Sequence, residues 1–345
     1  MNKFIQLHLL TNYGPSNLNR DDLGRPKSAV VGGVQRLRVS SQSLKRAWRT
    51  SEIFEEALDG HIGTRTKDIG KKVYEGLMKN GVSEKNAKDW AIAIAGVFGK
   101  CKKESFEIEQ LVHFSPEEIV GINALTAKLS RGKSAPTDED LKLLRENHTA
   151  ADISMFGRML ADNPRANTEA AVQVAHAFTV HKTAVEDDYF SAVDDLNVHE
   201  EHAGSAHIGE AEFGAGLFYL YICIDSDLLV NNLGGNKDLA DKAIKALIET
   251  AATVSPTGKQ NSFASRAYAS YVLAEKSDKQ PRSLAVAFLK PVKGEDMLKN
   301  AVDALQETRV RFGKAYGCED IDFREVNTVE PTGTLKELIQ FCVQS

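Results

Sequence analysis

The sequence predicts an α+β fold, an antiparallel or mixed sheet covered by helices on one face. Three observations carry that expectation. Strand-like runs open the chain and return after residue 150, helical patterns fill residues 64–150 between them, and the elements never settle into the βαβα beat of a doubly wound sheet. The spacing also suits a split βαβ unit with large insertions between its elements. At 345 residues and 42% hydrophobic, the chain has ample apolar material for one large core or two modest ones. Only 9 prolines and 25 glycines argue against a disordered or collagen-like chain. No internal repeat is evident.

The elements follow in order. Residues 3–11 set Phe4, Gln6 and His8 against Ile5, Leu7 and Leu9, with Leu10 following, as in a strand buried largely on both faces. The polar Gln6 and His8 break that apolar stretch, so it reads as a strand and not as a secretory signal. Residues 12–35 lack periodicity and hold Gly14-Pro15, Arg25-Pro26 and Gly32-Gly33, so one long functional loop is expected there. Leu37 and Val39 mark a short strand, after which Ser40 or Ser41 caps a helix running into the mid-fifties. Helices are expected over 66–79, 83–98, 115–129 and 137–146, separated by Gly81, a break at 99–103 and Gly132. Strand signals return at 153–160 and 172–180. Residues 183–213 are loop-like and rich in His, Asp, Glu and Gly, and a strong strand follows at 216–224. A helix at 238–253, strands at 266–274 and 283–290, and helices at 294–312 and 333–343 complete the chain.

No run of 18 or more apolar residues occurs, so no membrane-spanning helix is expected. Four dispersed cysteines (Cys101, Cys223, Cys318, Cys342) without a CxxC pair suit a reducing cytoplasm and argue against a disulfide frame or structural zinc. The net charge is -5, yet between Arg20 and Arg49 eight basic residues face only Asp21 and Asp22. Those 30 residues carry +6 and the other 315 carry -11. A cationic strip on an acidic body suits a protein that holds a polyanion along one track; a solvated basic helix is the alternative.

The helix after Ser40 gives the strip its geometry. Gln42, Lys45, Arg46 and Arg49 lie three or four apart and share one face, while Leu44, Ala47 and Trp48 share another that can dock on a sheet. The helix N-terminus adds free N–H groups and partial positive charge, both suited to phosphate. Enzyme signatures are mostly absent. Arg131-Gly132-Lys133-Ser134 resembles the end of a P-loop, but Ala127 stands where the earlier glycine belongs. His199 and His202 lack the i, i+4 spacing of a zinc helix, although His207 is nearby. His176 and His181 are separated by an odd number and so face opposite sides of a strand. The pairs Asp187-Asp188 and Asp194-Asp195 read as loop acids. Gly157-Arg158-Met159 is placed at a strand end, where Met159 can fill an apolar gap or wedge between bases and Arg158 can meet phosphate or carboxylate. The loop from Ser255 through Lys259, Gln260 and Asn261 offers donors for a phosphate or base edge, or is simply a turn.

The run from Asn19-Arg20-Asp21-Asp22 through Gly32-Gly33 to Arg38-Val39-Ser40-Ser41-Gln42-Ser43-Leu44-Lys45-Arg46-Ala47 resembles the start of the CasC family. That family is the repeated backbone subunit of Cascade, the type I-E CRISPR surveillance complex. The likeness continues through Gly157-Arg158-Met159, Ala175-His176-Ala177, Ala192-Val193-Asp194-Asp195-Leu196, Gly204-Ser205-Ala206-His207-Ile208-Gly209 and Lys259-Gln260, so it covers both halves of the chain. The segment 64–150 and the last hundred residues match only loosely.

The resemblance implies a modified RRM-like (ferredoxin-like) palm over residues 1–60 and 150–345. It also implies a helical fingers insertion over 61–149 and an extended thumb loop at about 183–214. Copies would stack head to tail into a helical filament on CRISPR RNA, capped by other Cascade subunits, leaving guide bases free to pair with target DNA in antiviral defence. Such a ribonucleoprotein is expected in the cytoplasm, with no cofactor, no metal and no catalytic residue. The RNA-binding residues carried over are Asn19, Arg20, Lys27, Arg38, Ser40, Gln42, Lys45, Arg46 and Arg49, together with Gly157, Arg158, Met159, Lys259 and Gln260. Phe190 is expected to be the thumb residue that wedges against bases, since stacking tolerates any sequence. Two other readings are a metal-dependent ribonuclease of the type III kind, using Asp21, Asp22 and thumb acids, and an oligomeric interaction protein that binds no nucleic acid.

Overall fold

A computed structural model of the chain describes residues 3–192 and 207–344. From the start of the chain come β1 (Phe4–Ser16), the hairpin β2 (Ser28–Val31) and β3 (Val34–Val39), then α1 (Ser41–Arg49) and α2 (Glu52–Ala57). Next are β4 (Thr64–Thr66), α3 (Ile69–Lys79), α4 (Glu84–Gly96), β5 (Val112–Phe114), α5 (Pro116–Gly132) and α6 (Ala151–Phe156). Strands β6 (Val172–Val174), β7 (Ala177–Thr179), β8 (Glu186–Ala192) and β9 (His207–Asp225) follow, then α7 (Ser226–Asn232), α8 (Lys237–Thr253) and α9 (Gln260–Phe263). The chain closes with β10 (Ala269–Ser277), α10 (Met297–Tyr316), β11 (Asp322–Asn327) and α11 (Leu335–Val343). Two compact units result: one of residues 1–54, 174–223 and 247–345, the other of residues 55–173 and 224–246. The insertion expected over 61–149 falls inside the second unit, which starts at 55, runs on to 173 and also takes in 224–246.

The first unit is built on a sheet of order β11-β10-β1-β9-β7-β3-β2. Antiparallel pairings set Phe4 opposite Ser277, Tyr271 opposite Asn327, Phe178 opposite Tyr219 and Arg38 opposite Phe178. The α+β class holds. Leu217 and Tyr219 join Leu10, Tyr271 and Leu273 on one face, packed against Leu284, Phe288 and the α10 residues Ala301, Val302 and Leu305. Their alternates Phe218 and Leu220 line a crevice on the other face with Leu44 and Trp48 of α1, Tyr13, Val39 and Ala251 of α8. Helices therefore cover both faces, where coverage of one was expected. That is why Phe4 through Leu10 are all buried, Gln6 and His8 included.

Residues 12–35 are not one loop. β1 runs on to Ser16, and Ser28 to Val39 form a hairpin whose turn residues Gly32 and Gly33 both have positive φ, 61° and 78°. Two consecutive positive-φ glycines fit the tight turn that matches strand twist, so Val-Val-Gly-Gly-Val was a hairpin signal. Around residues 283–290 the expected strand is instead a single 3-10 turn, Ala285–Phe288, and β11 arises where no element was expected.

In the second unit, Ile69, Val73 and Leu77 of α3, Trp90, Ala91 and Ile94 of α4, and Ile122, Leu125 and Leu129 of α5 form one core. Serines open two of these helices: Ser83 caps α4, and Ser115 with Glu118 makes a reciprocal capping box at α5. The helix expected at 137–146 is a set of turns, and the strand expected at 153–160 is the helix α6. Ile153-Ser154-Met155-Phe156 is a short apolar run, and buried runs of that length fit either element.

Candidate nucleic-acid interface

The interface grows from the junction of β3 and α1. Ser40 is the N-cap of α1, its side chain accepting the Ser43 amide at 3.3 Å. The Ser40 amide donates in turn to Asn19 Oδ1 at 2.9 Å. Lys27 N–H donates to the Asn19 carbonyl (2.8 Å) and Arg38 N–H to the Lys27 carbonyl (2.7 Å). A chain of main-chain bonds thus ties the backbone that carries Arg20, Lys27 and Arg38 to the start of the helix. Asp21 closes the loop between them, its carboxylate accepting the Leu23 and Arg25 amides at 2.9 Å each.

Helix α1 divides as the spacing demanded. Ser41, Leu44, Ala47 and Trp48 are buried; Gln42 and Arg46 are exposed, and Lys45 and Arg49 are half-buried. Burying Leu44 and Trp48 fixes the rotation of the helix, and so the direction of the polar face.

Two of the eight cations leave the strip. Arg36 is fully buried, donating to the carbonyls of Thr179 (2.8 Å) and Phe288 (3.0 Å). Burial pushes its guanidinium below its ordinary value, and its role is to knit β3 to the sheet core. Arg25 pairs with Glu212 at 3.0 Å. Among the described residues, Arg20, Lys27, Arg38 and Arg46 make no ion pair with a carboxylate.

Lys259 and Gln260 reach the same region through Gly258. A Cβ there would lie 2.2 Å from the Leu18 carbonyl oxygen and 2.7 Å from that of Asn17, so only glycine lets this loop close on the segment before Asn19. Lys259 itself is left-handed, with φ 44°.

In the sequence reading His176 has a place in the Ala175-His176-Ala177 run but no contact. It sits in the break between β6 and β7, and its Nδ1 accepts a hydrogen bond from Arg38 Nη1 at 2.5 Å. Partial burial first, then the charges of Arg38 and Lys27, hold its imidazole below the ordinary value. The alternation of residues 172–180 was legible, but not the break that turns His176 towards β3. His181 serves the backbone, its Nε2 accepting the Leu217 amide at 3.1 Å.

Phe190 lies on the β8–β9 ribbon, opposite Gly209. A Cβ on Gly209 would lie 2.4 Å from the Phe190 ring, so the ring rests on the glycine while staying 44% exposed. Its neighbour Tyr189, on the other ribbon face, is 64% exposed, a second open aromatic ring that the sequence reading did not name. Asp194, Asp195, His199, His202 and Gly204 lie outside the described residues.

The second unit holds the Gly157-Arg158-Met159 motif at the end of α6, not at a strand end. Gly157 ends that helix with φ 81°. Arg158 is a correction: its guanidinium is interior, bonded to Glu118 Oε2 at 2.7 Å and to the carbonyls of Ala166, His113 and Arg145. A side chain so engaged cannot serve as a phosphate ligand; it braces the unit. Met159, by contrast, is 80% exposed.

A family model of CT1975-like proteins matches residues 5–340. The chain is a CT1975-like protein. This CT1975-like protein is also similar to a solved chain described as "CRISPR RNA-guided surveillance complex, pre-nicking", at 30% identity and a TM-score of 0.84 over 99% of both chains. A second solved chain, described as "CRISPR RNA-guided surveillance complex", matches at 27% identity and a TM-score of 0.63, over 99% of this chain and 98% of that one. No curated protein matches it significantly. The CasC resemblance read from residues 19–47 is borne out by these matches. No helix among the described residues is long and apolar enough to cross a membrane.

Proposed function

We propose that this CT1975-like protein is a non-catalytic backbone subunit of a type I-E CRISPR surveillance complex. It assembles in copies along CRISPR RNA, holds the phosphates without regard to sequence, and leaves guide bases free to pair with target DNA. In this reading the sheet of the first unit belongs to a modified RRM-like palm, the β8–β9 ribbon is part of the thumb, and residues 61–149 of the second unit are the fingers. The observation that carries it is the cation set around Ser40, with Arg20, Lys27, Arg38 and Arg46 unclaimed by carboxylates among the described residues. Phosphate contacts fix register on a strand and carry no sequence information, which is what a guide of arbitrary sequence needs. Exposed Met159 and the ribbon aromatics supply surfaces that stack on any base.

The test is a Lys45→Ala, Arg49→Ala double variant, titrated with unrelated single-stranded RNAs over a range of salt. Binding should weaken equally for every sequence, and each lost phosphate contact should lower the log–log salt slope by about 0.7. An unchanged affinity and slope would remove α1 from the RNA track.

A further inference from the structure

We propose that His176 is a positioning residue of the RNA interface: as a hydrogen-bond acceptor it holds the Arg38 guanidinium in place for a phosphate. This inference rests on the RNA-binding reading above and names a member of that interface that its cations alone do not reveal.

Arg38 is opposite Phe178 and Val39 opposite Ala177; extending the ladder by one step sets His176 across from Ser40, the N-cap of α1. The imidazole therefore stands where β3 hands over to the helix. The ladder has ended there, Ala175 N–H having turned to the Tyr221 carbonyl at 2.9 Å, and the His176 side chain is exposed. Arg38 needs such a partner. An arginine side chain has many rotamers, and fixing one on a surface costs conformational entropy that a bound phosphate must otherwise offset. A carboxylate could fix it but would also neutralise the charge meant for the ligand. A neutral imidazole fixes it and leaves the charge whole.

The chemistry of the ring agrees. To accept from Arg38, Nδ1 must be unprotonated, which puts the proton of the neutral ring on Nε2. Arg38 on β3 and Lys27 ahead of β2 both disfavour a second positive charge there, and both belong to the hydrogen-bond chain that starts at Asn19. The bond occupies one nitrogen of the guanidinium, whose remaining N–H groups can serve a bidentate phosphate contact.

Affinity for a fluorescent single-stranded RNA is measured with the full chain and five variants: His176→Ala, His176→Asn, Arg38→Ala, the Arg38→Ala/His176→Ala pair, and Lys45→Ala/Arg49→Ala. His176→Ala should weaken binding roughly threefold to tenfold, the range of one ordinary hydrogen bond. His176→Asn, whose amide oxygen can take the place of Nδ1, should restore most of it, and in the Arg38→Ala background the His176 effect should vanish. Because His176 is exposed, thermal melts should be unchanged, which separates positioning from folding. An unaltered affinity for His176→Ala, a His176→Asn variant as weak as alanine, or an effect that persists without Arg38 would each overturn the inference. If only Lys45→Ala/Arg49→Ala weakens binding, the RNA reading survives and the role of His176 falls; if that variant also binds normally, the RNA reading fails first.

Discussion

Asn19 Oδ1 accepts the Ser40 amide at 2.9 Å, joining two residues 21 positions apart at the first turn of α1. The bond makes the start of the helix and the Arg20–Lys27 loop one structural piece. Nothing in the local sequence of either partner requires the other; the hairpin between them brings them together.

Asn19→Ala should therefore have two effects with one cause. Loss of one partly buried hydrogen bond should lower unfolding free energy by about 1 kcal/mol, measured by urea denaturation. RNA affinity should fall at the same time, because Arg20 and Lys27 lose their tether to the helix. A stability loss with RNA affinity intact would mean that the loop does not carry the ligand.

Arg158 and Met159 are adjacent in sequence and should behave oppositely. Arg158→Ala leaves the Glu118 carboxylate buried without its cation and should cost about 3–5 kcal/mol of stability. Met159→Ala removes an exposed side chain and should leave the melting temperature within experimental error while weakening RNA binding. Chemical denaturation beside an RNA titration separates the two. Equal destabilisation by both would contradict the placement of Met159 on the surface.

His8 gives the first unit an acid sensitivity. It is fully buried, its Nδ1 2.9 Å from the Tyr219 hydroxyl and its Nε2 3.4 Å from Glu275, with Arg282 and Arg309 on the same carboxylate. Burial, opposed by the neighbouring Glu275 carboxylate, holds its imidazole below the ordinary 6.5. The folded state then resists a proton that the unfolded chain accepts. Stability is complete above about pH 6.5 and falls as pH drops below it, by at most one proton's worth, about 1.4 kcal/mol per pH unit. Urea midpoints from pH 8 to 5 should decline less for His8→Gln than for the natural chain. Parallel declines would assign the acid sensitivity elsewhere.

Much of this was legible in the sequence, and the exceptions share physical causes. The polar face of α1 could be read because Leu44 and Trp48 at helical spacing leave one orientation for Lys45 and Arg49. Arg36 could not be read as interior. An arginine is counted as a surface cation until two carbonyls, those of Thr179 and Phe288, are known to converge on it, and both lie far away along the chain. Arg158 was missed for the same reason, since its carboxylate is 40 residues off. The hairpin at Gly32-Gly33 is legible in its paired glycines, but the few valines flanking them give a weak strand signal, and one of its strands lies at the sheet edge. Residues 153–160 misled because a short buried apolar run carries no period. His176 stayed hidden because its partner is set by strand pairing, which alternation alone does not supply.

Strand β9 runs without interruption from His207 into the middle of the sheet, and on the way it meets the cation loop twice: Glu212 pairs with Arg25, and its main-chain carbonyl accepts from Asn17 Nδ2 at 2.8 Å. One stiff rod therefore ends in the ribbon and is bolted to the loop partway along. In the RNA-binding reading proposed above, a displacement of the ribbon would therefore be felt at the bed on which Asn19 and Arg20 rest.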